Sequence, residues 1–206
     1  MTPEQYLHVI WPLSLIVEAA LSFCLIPQLR IRPWFSAFIL FDTGRTLAVF
    51  MVMQNWPGLR QSHEYQQFFL ISELIALPLL AMAAVEATPT QVRSWITGAA
   101  ILGGSAVASL AMLPTREVWA QPAFAGRVWI EAVFLACAAA RVGDLDSHGR
   151  TMTLFLGLNC IAYLAILLNP WNTTLAACFA ITADLICYAV WTWHYKLNVC
   201  KNNLGK

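Results

Sequence analysis

The chain has 206 residues, of which 59% are hydrophobic and 11% charged, and a formal net charge of +1; a soluble protein carries roughly 25% charged residues. This balance excludes a nucleic-acid-binding protein and a polybasic lipid-binding surface. It points instead to one integral membrane domain spanning residues 1–206, with membrane lipid as its surroundings.

A helix needs about 20 apolar residues to cross a bilayer. Seven stretches meet that requirement: 6–29, 34–56, 65–86, 92–113, 118–141, 151–170 and 174–195. Tryptophans and tyrosines such as Tyr6, Trp34, Trp56, Trp95 and Trp171 sit at their edges, as amphipathic rings do at a membrane interface. The expected fold class is all-α, a polytopic bundle of seven transmembrane helices.

Span one places Glu18 about halfway along its length. Span two carries Phe41-Asp42-Thr43-Gly44-Arg45 near its middle, and residues three apart share a helix face. Glu73, Glu131 and Asp184 lie near the centres of spans three, five and seven. Each charge at such a depth costs roughly 2.5–3.5 kcal/mol, so the group implies an internal polar layer. Arg45 can pair with Asp42 by spacing or with a cross-helix acid by geometry. Four acids are then left without a basic partner at that depth, with Arg127 placed on the outer side just inside span five. Asn159 and Tyr163 in span six could add polar contacts. Thr43, Ser72 and Thr182 are expected to bond their own helix backbones.

Span four differs from the rest. Gly98, Gly103 and Gly104 give it a small-residue surface without charge, which lets helices approach closely. Packing within the chain is the plain reading; contact with a second copy or a partner subunit is the sharper one.

Arginine and lysine set the orientation. Arg30, Arg32, Arg93, Arg141, Arg150, Lys196, Lys201 and Lys206 fall on one side, Arg60 and Arg116 on the other. The N-terminus is therefore expected outside and the C-terminus in the cytoplasm.

The chain also reads as an internal duplication. A shift of 113 residues brings Val17-Glu18-Ala19 onto Ile130-Glu131-Ala132, Cys24 onto Cys137 and Pro57 onto Pro170. A shift of 111 brings Glu73-Leu74-Ile75 onto Asp184-Leu185-Ile186. Repeat one covers 6–86, the linker helix 92–113 and repeat two 118–195. Both repeats enter the membrane in the same direction.

This layout, together with Pro27-Gln28 at the inner end of span one, resembles the PQ-loop and SWEET class of membrane proteins. The second half reads Ala138-Ala139-Ala140-Arg141 at the matching place. The resemblance implies a carrier or receptor in which Pro27 and Gln28 form a hinge.

The residues carry few other chemical signals. The six cysteines contain no CxxC pair and read as packing residues. His8 and His63 fall near the outer face, His148 and His194 near the inner face, and all four read as interfacial polar side chains. Asp144, Asp146 and His148 read as a solvated turn in preference to a metal site. There is no HExxH and no serine–histidine pair at one depth, so no catalytic residue, metal or cofactor is assigned. The leading expectation is a small-solute carrier, with proton coupling through the interior acids as an option. The alternative is a non-transporting receptor or a subunit of a membrane complex. An intramembrane enzyme has the least support.

Overall fold

The computed structural model describes residues 2–55, 63–88, 120–140, 142–168 and 173–204. Span four lies outside the described residues, and with it Gly98, Gly103 and Gly104. The described residues form six α-helices: α1 (Pro3–Leu25), α2 (Pro33–Asn55), α3 (His63–Ala87), α4 (Ala120–Ala140), α5 (Ser147–Leu168) and α6 (Thr173–Leu204).

Helix ends follow local chemistry. Thr2 and Gln5 form a capping box: Gln5 N donates to Thr2 Oγ1 at 3.3 Å, and Thr2 N donates to Gln5 Oε1 at 2.9 Å. This satisfies two amides that a helix start leaves orphaned. Asp146 caps α5 by accepting the Gly149 amide at 2.7 Å. The start of α2 is capped from another helix, as Phe35 N donates to Glu86 Oε2 at 2.8 Å. A carboxylate there also complements the helix dipole.

Pro27 and Gln28 lie in a 3-10 turn, Ile26–Gln28, that follows α1. The Ile31 and Arg32 amides donate to Gln28 O, both at 2.9 Å. The pair therefore builds the reversal between α1 and α2, and does not kink a continuous helix. The proline inside α1 is Pro12, and Pro78 lies inside α3. Helix α6 continues past residue 195 to Leu204, since Lys196–Leu204 contains neither Pro nor Gly to break it.

The helices pack in chain order and close on themselves. α1 packs on α2, α2 on α3, α3 on α4, α4 on α5, α5 on α6, and α6 on α1. One end of this ring holds a single core. It joins Leu21 and Leu25 of α1, Phe35 and Phe38 of α2, Ala83 and Ala87 of α3, Phe134 and Ala138 of α4, Met152 and Phe155 of α5, and Trp191 and Tyr195 of α6. The C-terminal ends of α1, α3, α4 and α6 therefore meet the N-terminal ends of α2 and α5. Gly149 marks the tightest approach: a Cβ there would lie 2.9 Å from the Ala87 carbonyl oxygen.

Beside the apolar core the bundle buries charged groups and exposes large apolar ones. Glu18, Asp42, Glu73, Arg127, Glu131 and Asn159 are buried, whereas Ile16, Phe23, Met51, Ile75, Ile161, Val190 and Trp193 are exposed. Apolar surface that faces outward in this way marks contact with something other than water. Two stretches, Gln5–Gln28 and Pro33–Val52, are long and apolar enough to cross a membrane by length and composition.

Candidate functional site

The buried ionisable groups meet in one layer. On α2, Arg45 Nη2 donates to Asp42 Oδ1 at 2.5 Å, and Nη1 pairs with Glu73 Oε1 on α3. On α4, Arg127 Nε donates to Glu131 Oε1 at 3.3 Å, and its Nη1 lies 3.7 Å from Glu73 Oε2. Glu73 thus stands between two guanidiniums and links α2, α3 and α4. The Arg127 guanidinium also sits 4.6 Å from the centre of the Tyr163 ring on α5, within the range of a cation–π contact.

The other side of the layer is built from α1, α5 and α6. Asp184 Oδ1 accepts from Asn159 Nδ2 at 2.8 Å, and the same amide reaches Phe155 O at 3.1 Å. Tyr188 Oη donates to Asp42 Oδ2 at 3.0 Å, tying α6 to α2. Glu18 is 1% exposed, and its Oε1 has no hydrogen-bond partner. Thr43 donates to Ile39 O at 2.8 Å and shares a 2.7 Å contact with Ser22 Oγ. Thr182 donates to Cys178 O at 2.6 Å and meets Tyr6 Oη at 2.8 Å. Both threonines therefore bond their own backbone and a second helix as well.

The layer opens onto a cavity of about 220 Å³. Its walls include Glu18, Asp42, Arg45, Arg127, Asp184 and Tyr188, with Trp11, Val49, Tyr163 and Ile181 further along. Trp11 and Val49 lie on the side of the layer away from the Phe35–Trp191 core. The ring of Trp11 packs edge-on against Phe50 at 6.0 Å.

On the core side, aromatic rings fill the bundle. Phe35 contacts His148, Trp191 and Tyr195 with centroids 4.6, 4.7 and 6.2 Å apart, and Phe155 contacts Trp191 at 5.3 Å. Tyr195 Oη and His148 Nδ1 are 2.9 Å apart. Arg32 Nη2 meets Asp146 Oδ2 at 2.7 Å across this end. Burial drives the His148 imidazole down to about 3, helped by Arg32 and opposed by Asp146. Burial would raise Asp146, but the Gly149 amide and Arg32 hold it below its ordinary value.

The structure brings together Glu18, Asp42, Arg45, Glu73, Glu131, Asp184 and Asn159, all named from sequence. Two expectations are corrected. Arg127 reaches the interior acids: it is 2% exposed and partners Glu73 and Glu131, so these two acids do have a basic partner other than Arg45. Its spacing of one helical turn before Glu131 was the available signal. His148 is not interfacial but 1% exposed, because the start of α5 folds inward beneath Phe35. Tyr188, one turn after Asp184, joins the layer as well, although a tyrosine in an apolar run reads as packing. Comparison with family models, curated proteins and solved structures finds no match to this chain.

Proposed function

We propose that this chain is a multi-pass membrane carrier for a small solute, with seven spans and a parallel duplication, coupled to protons through the carboxylates of its interior layer. One observation carries the reading: buried carboxylates line a cavity that is blocked on one side by packed aromatic rings. A structural clamp needs its charges paired and has no use for a cavity. A carrier needs a polar site between two closures, one open at a time. The Phe35–Trp191–Tyr195 core with the Arg32–Asp146 pair would form the inner closure, and the Trp11 side would be the open mouth. The matching directions of α1 and α4, α2 and α5, and α3 and α6 support two repeats that rock against each other.

The expected result is cavity access from both faces. In a background whose native cysteines are replaced, Val49→Cys should react with a membrane-impermeant thiol reagent in right-side-out vesicles. It should react more slowly in inside-out vesicles, after the inner closure opens. Absence of reaction from either face would overturn the reading. Reaction from the outer face alone favours a receptor that binds a ligand in the same cavity without transporting it.

A further inference from the structure

The cavity walls are unequal in what they offer a ligand. Both guanidiniums are already engaged: Arg45 by Asp42 and Glu73, Arg127 by Glu131, Glu73 and the Tyr163 ring. An anion entering here would have to displace a carboxylate from each. The Ser14 and Thr46 hydroxyls on the walls can donate or accept; the unused charged capacity lies in acceptors. Glu18 Oε1, Glu131 Oε2 and Asn159 Oδ1 are buried without a hydrogen bond, and of these three residues Glu18 lines the cavity. Among the described residues, every orphaned polar side-chain atom of this layer is an acceptor oxygen. A buried acceptor without a donor costs about 1–3 kcal/mol, more when charged. Protons on the carboxylates would relieve part of this cost, but they require neither the space nor the aromatic lining. Trp11, Tyr163 and Tyr188 supply that lining, and aromatic rings favour a cation. The volume, about 220 Å³, falls below the roughly 300–1,000 Å³ of drug-sized sites.

We infer that the cavity takes a small organic cation bearing N–H donors, an ammonium or guanidinium group, with Glu18 and Asp184 as its acceptors and Trp11 and Tyr188 as its apolar wall. The inference rests on the carrier reading of the same site and names its substrate class. Glu18 is the first anchor, because it is buried, lines the cavity and has an unused oxygen. Asp184 faces the same space and holds its position through Asn159.

Methylguanidinium is the probe. It is permanently charged, and methylurea is its neutral counterpart of the same shape. Calorimetric titration of the detergent-purified full chain should show methylguanidinium binding, with methylurea and acetate at least ten-fold weaker. Glu18→Gln and Asp184→Asn should each weaken methylguanidinium at least ten-fold without strengthening methylurea. Glu18→Asp should recover part of the loss. Size-exclusion elution identifies a variant that has not folded, and Asp184→Asn, which can still accept from Asn159, then stands in for Glu18→Gln. Equal binding of methylurea, tighter binding of acetate, or no binding of methylguanidinium overturns the inference. Uptake into proteoliposomes separates the two levels. Methylguanidinium that binds but is not taken up keeps the cation site and removes the carrier. Uptake of methylurea or acetate without methylguanidinium binding keeps the carrier and removes the cation class.

Discussion

His148 sits against Phe35, Trp191 and Tyr195, with Arg32, Asp146 and His194 as its charged or titratable neighbours. Burial lowers its imidazole from 6.5 to about 3. Between these values the unfolded chain binds a proton that the folded chain does not. Stability should therefore fall as pH drops from about 6.5 toward 3, by at most about 1.4 kcal/mol per pH unit. Asp146, held low, contributes stability that is present above its unfolded value and is lost as pH falls through its folded one. Both groups act in the same direction. Thermal unfolding in detergent should show a falling midpoint below pH 6.5, with a shallower fall in His148→Phe. Identical slopes in variant and wild type would show that His148 is not the group responsible. The sequence placed Asp146 in a polar turn, and the structure makes it the cap of α5. The burial of His148 was not legible, because its neighbours come from α2 and α6, far away in the chain.

At the scale of elements, the ion layer holds α2, α3 and α4 together through Arg45, Glu73, Arg127 and Glu131. Removing one member of a buried ionic group leaves the others uncompensated, at a cost of about 3–5 kcal/mol. Arg127→Gln should therefore strongly destabilise the protein, while Arg127→Gln combined with Glu131→Gln should recover part of the loss. Additive losses in that pair would mean that Arg127 and Glu131 do not act together. The depth of each acid could be read from its place in an apolar run, since a helix rises uniformly along its axis. The choice of partner could not. Arg45 satisfies both of the readings its sequence left open, reaching Asp42 along its own helix and Glu73 across to α3. That division depends on how closely α2 and α3 approach and on the angle at which each side chain leaves its helix.

For the whole molecule, the described helices enclose a polar layer beside an aromatic core and turn an apolar surface outward. Five carboxylates and two guanidiniums occupy the layer, and large apolar side chains cover the outer surface of α1, α2, α3, α5 and α6. The proposed topology places the N-terminus outside and the C-terminus in the cytoplasm. A reporter fused after Lys206 should be active only on the cytoplasmic side, and one placed in the 114–117 segment only on the outer side. Accessibility of both sites from the same side would rule out an odd number of spans between them.

By itself the sequence determined the helical character, the approximate helix positions and the shared depth of the interior charges. These follow from local periodicity and from the cost of placing a charge in an apolar run. Only the tertiary structure decided which end of the bundle is packed shut, that Arg127 and Tyr188 join the acid layer, and that Glu18 keeps an oxygen without a partner. Those outcomes depend on distances between helices remote in sequence, and no spacing along one helix encodes the gap between two.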